Sequence, residues 1–516
     1  TGGPLGVSGH EFNPLFMRDR ATLSLSAFGG SQNTKGAEVS GGWLVGNTAL
    51  SAGAYNYDTD GFRSRADLRQ EIYRVFVQHD LTAATSFQVE ARASRLDHGD
   101  IKLRFDPSTA PADYRRALDT NTLRLGARHA FSADTDVIAS FIVQRREEEV
   151  FERAIDTTDP VFPVELALRQ RLATDAGTAE TQVARRWGAL SVRAGAGIYL
   201  DRTVDRGTLD ITDMTLQIPL QNAVFDGRPR AQHRNVYVYS HVPLGERTRF
   251  VAGLTAEHFE RNGLFERNRV HPKLGIVSEP VDGTILRAVA LRGMKRPLPG
   301  SATIEPTEVA GFNQFFDDAN GTTFTRVGAG VDQQFGQGLA AGLELSARSL
   351  SAPEQVQTTL VFNPWRERLH RAYVSWLPAP RLSLGAEHYV DRQSRDVPAG
   401  QTNATFIRSL DTRFTPLTAT WHDPSGLFVR LRATHVRQDA RFPLAAGGNT
   451  GGIESFWLAD LQFGYRLAPG RAAFTVQVFN LFDREFRFQN TELAGDPRPP
   501  LFAPGRSLML RLSLAL

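Results

Sequence analysis

From Leu508 to Leu516 every second residue is leucine, with Met509, Arg511, Ser513 and Ala515 between. Successive side chains of a β-strand point to opposite faces, so this segment offers one face of pure leucine and one that is small or polar. The same period of two recurs along the whole chain. Ala21, Leu23, Leu25 and Ala27 alternate with Thr22, Ser24 and Ser26. Leu190, Val192, Ala194, Ala196, Ile198 and Leu200 alternate with Ser191, Arg193, Gly195, Gly197 and Tyr199. Val327, Ala329 and Val331 oppose Arg326, Gly328, Gly330 and Asp332, and Leu427, Val429 and Leu431 oppose Arg430 and Arg432. Helical periods of amphipathic length hardly occur, and the pattern predicts about 22 strands.

The connections alternate between short and long. Short ones include VGN at 45–47, PLGE at 243–246, FGQG at 335–338, DPSG at 423–426 and LAPG at 467–470. Long ones are expected over residues 57–70, 95–121, 146–177, 201–232, 293–322, 349–366, 392–409, 437–456 and 483–504. Short turns on one side and long loops on the other mark an up-and-down antiparallel β-barrel in an outer membrane. The fold expected is therefore all-β: an irregular lead-in over residues 1–16, then a barrel over 17–516 with apolar faces toward lipid. An even strand count places both termini on the short-turn, periplasmic side. Trp187, Trp376 and Trp421 lie beside short turns, where an interfacial aromatic belt needs them.

Composition narrows this reading. No run approaches the ~18 apolar residues of a spanning helix, and the mean hydropathy of −0.29 suits strands that are only half apolar. The net charge is +3 with the signs interspersed, which offers no nucleic-acid surface. Cysteine is absent, which removes thiolate chemistry and suits an oxidising compartment. The chain opens on Thr1 without a methionine or an apolar leader, so any signal peptide is expected to have been removed.

Motifs of catalysis or cofactor binding do not occur: there is no GxSxG, HExxH, Walker A or Rossmann fingerprint. The 12 histidines are scattered, and none pairs with another at metal-ligand spacing. No catalytic residue, metal or cofactor is expected, and the chain reads as a non-enzyme. What remains is the polar face of the strands. Arg74, Arg92, Arg193, Arg326, Arg348, Arg430, Arg432 and Arg511, with Glu344, Glu387 and Asp460, are expected to line the lumen. They would act either as an ion-pair network bracing the wall or as a net-positive conduit. The long loop after residue 293 carries Thr303-Ile-Glu-Pro-Thr-Glu-Val-Ala-Gly-Phe-Asn-Gln-Phe-Phe-Asp-Asp318. Phe312, Phe315 and Phe316, beside Asn313, Asp317 and Asp318, cannot all face water. They are expected to fold into the barrel mouth or to contact a ligand or partner.

The last 60 residues or so carry a resemblance. The alternating strand Phe474-Thr-Val-Gln-Val-Phe is followed by Asn480-Leu-Phe-Asp483, and Pro504-Gly-Arg stands before the last strand. This arrangement resembles the C-terminal barrel of TonB-dependent outer-membrane receptors. The resemblance implies 22 strands and a barrel that moves or binds a scarce substrate at the cell surface. Two departures stand out: no stretch matches a plug domain or TonB box, and the chain ends in Leu516 where such barrels commonly end in Phe. The stretch 303–318 also looks like one found in plug-less, receptor-like barrels. Two readings follow. One is a receptor whose plug lies upstream or on another chain, with TonB a partner only if that plug exists. The other is a plug-less export conduit or surface-assembly anchor whose lumen is filled by a periplasmic or surface protein. Outer-membrane lipid is a partner in both.

Overall fold

The last strand closes on the first: Leu514 lies opposite Leu25, Leu512 opposite Ala27 and Arg511 opposite Phe28. In this computed structural model the described residues are 20–156, 163–356, 359–397, 406–444, 448–467, 471–490, 502 and 504–516. The lead-in 1–16 lies outside them. Among the described residues one antiparallel sheet holds 23 strands. One of these, Ile218–Gly227, pairs only with the outer half of Leu190–Asp213, whose inner half pairs with Arg230–Pro243. The remaining 22 strands form a closed transmembrane barrel wall. A second sheet is a two-stranded hairpin, Glu308–Val309 with Phe312–Asn313, held inside that wall.

Alternation does what the sequence pattern predicts. Leu508, Leu510 and Leu512 are each about two-fifths exposed on the outer face, as are Leu23 and Val143, and Val327 and Leu431 are about half exposed. Their neighbours on the inner face, among them Phe76, Tyr199, Tyr237 and Tyr239, are buried. Trp187, Trp376 and Trp421 are exposed beside the short turns, whereas Trp365 is buried on the lumen side. The exit Asn480–Asp483 also behaves as expected. The Asn480 side chain exchanges bonds with the Arg484 backbone at 2.9 Å, Asp483 accepts from the Arg506 amide at 2.7 Å, and Phe482 stays exposed at the rim.

The loops are shorter than expected because the strands are longer. Thr135–Asp156 has 22 residues and Val164–Trp187 has 24. At about 3.3 Å per residue these ribbons extend on the order of 75 Å, well over twice the bilayer core. Beyond the lipid band their outer face becomes charged, so apolar alternation stops while the backbone ladder continues. Ion pairs replace leucines on that face: Arg95–Asp119 at 2.8 Å, Arg145–Glu147 at 2.8 Å and Arg171–Glu147 at 3.5 Å. The regions 146–177, 201–232, 349–366 and 437–456 are therefore mostly strand, and 95–121 is about half strand.

Faces assigned this way make a direct prediction. Leu512→Arg, on the lipid side of the closing strand, should lower folding stability by about 2–4 kcal/mol. Met509→Arg, on the lumen side, should leave the folded fraction unchanged. The heat-modifiable gel shift of the folded barrel and urea titration read both.

Candidate functional site

The loop between Met294 and Thr323 turns inward rather than outward. Its residue Glu305 is buried completely, and a buried carboxylate survives only when it is paired and hydrogen-bonded. Five donors meet it. Arg296 Nη1 at 2.7 Å and Asn235 Nδ2 at 2.8 Å reach one oxygen. Tyr239 Oη at 2.6 Å, Lys273 Nζ at 3.0 Å and Thr255 Oγ1 at 3.1 Å reach the other. Asn235, Tyr239, Thr255 and Lys273 come from three successive wall strands, Arg230–Pro243, Thr248–Arg261 and Phe265–Ser278. Burial raises the affinity of Glu305 for a proton, but Arg296 and Lys273 more than offset it. The carboxyl is held well below its ordinary value of 4.5. With a depressed folded value, its contribution to docking is complete above the ordinary carboxylate range and is lost only on acidification below it.

Neighbouring residues extend the anchor. Glu180, on Val164–Trp187, accepts from Tyr199 Oη and Thr303 Oγ1 at 2.6 Å each and from the Ile304 amide at 3.2 Å. Gln182 donates to the Ile304 carbonyl at 2.6 Å. Two buried histidines flank Glu257, His271 at 3.1 Å and His233 at 3.8 Å, with Arg296 at 3.6 Å from the same carboxylate. Among the described residues no three ligands converge at metal-binding distance.

The second half of the loop is stitched to the wall by arginines and aromatic rings. Arg348 holds Asp318 through two bonds, 2.6 and 2.9 Å, and also Glu367 at 2.8 Å. Its guanidinium lies 3.9 Å from the Phe316 ring centre. Arg326 donates to the Asn313 carbonyl at 2.6 Å and lies 5.3 Å from both Phe312 and Phe316. Arg296 lies 4.8 Å from Phe315. Such contacts are worth about 0.5–2 kcal/mol each, and they add to apolar packing: Val309 and Phe312 join Val289, Leu291, Phe324, Leu350 and Trp365 in one buried cluster, with Phe316 against it. Wall glycines admit the hairpin: a Cβ at Gly328 would stand 2.6 Å from the Phe312 ring, and one at Gly275 would stand 2.7 Å from Ala310 Cβ. Further along, the turn at Gly300 reaches Thr122 and Ile142, on strands far around the wall. The segment 295–322 thus crosses the lumen and touches roughly half its circumference.

A second filler faces it. Leu103 from one loop and Phe488 and Phe502 from another pack on Val436, Phe456 and Leu458 of the wall. Gln438, fully buried, exchanges bonds with the Gln489 backbone at 2.6 and 3.1 Å.

Against the sequence expectations, Phe312 and Asp318 are buried in the lumen, Phe315 and Phe316 are half-buried, and Asn313 and Asp317 face open space. Arg326 and Arg348 join the central network. Arg74 and Arg92 stand together on the wall between Leu68 and His98. The others are dispersed. Glu344 lies 3.5 Å from Arg287, Glu387 pairs with Arg371 at 2.9 Å, and Arg430 bonds Thr420 at 3.2 Å. Asp460 accepts from the Asn480 amide at 3.0 Å, and Arg511 stands 3.8 Å from Glu38. Arg432 lies opposite Asp460 in register, and Arg193 is exposed. Sequence reasoning missed Glu180, Lys273, Arg296 and Glu305. Lys273 is one of four lysines in the chain, and that rarity is the one signal that could have marked it.

No protein-family model matches the chain, and a search of curated proteins finds no match. Solved structures do match. The ferric-catecholate import receptor Fiu from Escherichia coli K12, in its closed form, aligns with a TM-score of 0.69 at 12% identity. That alignment covers 97% of this chain and 82% of Fiu. The outer-membrane ferripyoverdine receptor of Pseudomonas aeruginosa gives 0.71 at 13% identity, covering 97% and 72%. The copper transporter OprC gives 0.70 at 13%, covering 98% and 81%. At these identities the likeness establishes a shared barrel fold.

Removing the central carboxylate tests the anchor. Glu305→Ala leaves Arg296 and Lys273 buried without their partner and should weaken docking of the segment by about 3–5 kcal/mol. The measurable result is new protease cleavage within 295–322 while the barrel itself stays folded.

Proposed function

We propose that this chain is the membrane-spanning barrel of a receptor-type transporter in a bacterial outer membrane, with both termini on the periplasmic side. The observation that carries the reading is a 22-strand wall whose lumen is crossed by its own long loop, clamped by a buried ionic network. A barrel of this girth left empty would leak; one crossed by a docked segment admits a substrate only when that segment moves. The solved barrels it resembles include import receptors for ferric catecholates and ferripyoverdine and a transporter of copper, which supports a role in taking up a scarce metal-bearing solute. The exposed Thr307, Glu308, Asn313 and Asp317, beside the half-buried Phe315 and Phe316, are the positions of the segment 303–318 that such a ligand or a protein partner would meet. TonB enters as a partner if a plug with its contact box belongs to the full protein. The role is transport rather than catalysis.

Planar-bilayer recording of the purified chain tests this. The unmodified barrel should show low conductance, and Glu305→Ala should add large, frequent openings. Steady large conductance from the unmodified chain would defeat the reading, because the docked segment would then not control passage.

A further inference from the structure

One part of the lumen lies outside the central network. Between the turn Leu298–Ala302 and the wall strands Leu68–Thr82, Thr85–His98, Asp113–Ser132 and Thr135–Asp156 is a cavity of about 340 Å³. Arg92, Arg124 and Arg146 line it, with Glu90 the one acidic residue in the lining. Glu90 is already shared: Arg74 reaches one oxygen at 2.8 Å and Arg124 the other at 2.7 Å. Arg146 is 3.0 Å from Glu148, which Arg116 also holds at 2.8 Å. Glu90 and Glu148 are thus each shared by two guanidiniums, Asp201 lies near enough to Arg146 to interact with it, and none of these arginines can discharge by losing a proton.

Arg92 stands outside these pairs. It lies directly opposite Arg74 on one neighbouring strand and opposite Thr122 on the other. Like charges in directly opposed positions destabilise a sheet. The Arg92 Nε is buried and has no hydrogen-bond partner, and an unmet buried donor is costly. Thr122 and Gln144, which share a hydrogen bond of 3.1 Å, add neutral donors to the same cavity. An anion in this space would satisfy the free donor and screen the Arg74–Arg92 repulsion together.

We propose that the cavity is an oxyanion site, taking a phosphate group with Arg92 as the principal contact and Arg124 and Arg146 supporting it. A planar guanidinium with several fixed donors matches a phosphate's oxygens. The cavity leaves room for the group as a free ion or at the end of a small carried solute.

Calorimetric titration of the folded barrel in detergent, at constant ionic strength, tests the site with inorganic phosphate and with glucose 6-phosphate. Saturable binding of either ligand is expected. It should weaken roughly ten-fold or more in Arg92→Gln, in line with the loss of a charge-assisted contact. Arg92→Lys should retain part of the affinity, and Arg193→Gln, at the exposed arginine elsewhere on the inner face, should leave it unchanged. Binding of inorganic phosphate marks a free-ion site; binding of the ester alone marks a site for the anionic end of a solute. Absence of saturable binding by both ligands, or equal binding by Arg92→Gln, would overturn the proposal.

Discussion

A carboxylate with no access to water sets the terms for this barrel. Glu305 can stay ionised inside the lumen only because two cations and three neutral donors converge on it, and most of those donors belong to the wall. The dependence runs both ways. Without Glu305, Lys273 on the wall would be a buried charge lacking its counter-ion and Arg296 on the loop would keep only the longer contact to Glu257, a far larger cost than any surface pair carries. The loop that brings Glu305 inward is therefore as much part of the barrel's structure as its strands.

The same logic explains the chemistry chosen around the crossing segment. Arginine dominates the lumen because it keeps its charge when buried and can hold a carboxylate and an aromatic face together. Arg348 does so with Asp318, Glu367 and Phe316, and Arg326 does so with a backbone carbonyl and two phenylalanines. A segment held this way is firmly seated yet removable. Its polar contacts are directional and can be exchanged for water or for a bound solute, while Val309 and Phe312 seat it in an apolar cluster of wall residues. The opposite side of the lumen has an apolar cluster of its own, built on Phe456, Phe488 and Phe502.

How much of this could be read from the chain depends on where the information lies. The outer wall was legible because lipid imposes one requirement on every strand: an apolar residue at alternate positions. Leu508 to Leu516 and the closure against Ala21–Gly30 follow from that local rule, whereas the Asn480–Asp483 exit was marked by its resemblance to a known motif. The charged extensions of Thr135–Asp156 and Val164–Trp187 were not legible, because outside the membrane a strand is held by its backbone ladder and cross-strand ion pairs, which leave no apolar period. The anchor was least visible of all. Its members Glu180, Asn235, Tyr239, Thr255, Lys273 and Glu305 stand on different segments, and only the register of neighbouring strands brings them to one point. Arg326 and Arg348 could be placed on the inner face from sequence, but their partners, Asn313 and Asp318, could not be assigned without the path of the loop.

The central claim is that segment 295–322 turns into the lumen and reaches wall strands well away from the pair that carries it, and a cysteine staple tests it most directly. The chain has no cysteine of its own, so Thr122→Cys with Gly300→Cys introduces a single pair. A side chain started at residue 300 would stand 3.3 Å from Thr122 Cγ2. Mild oxidation of the folded double variant should give near-complete intramolecular cross-linking, seen as a mobility change that reductant reverses. If both cysteines instead stay free and react readily with a soluble thiol reagent, the segment lies outside the lumen and the account is wrong.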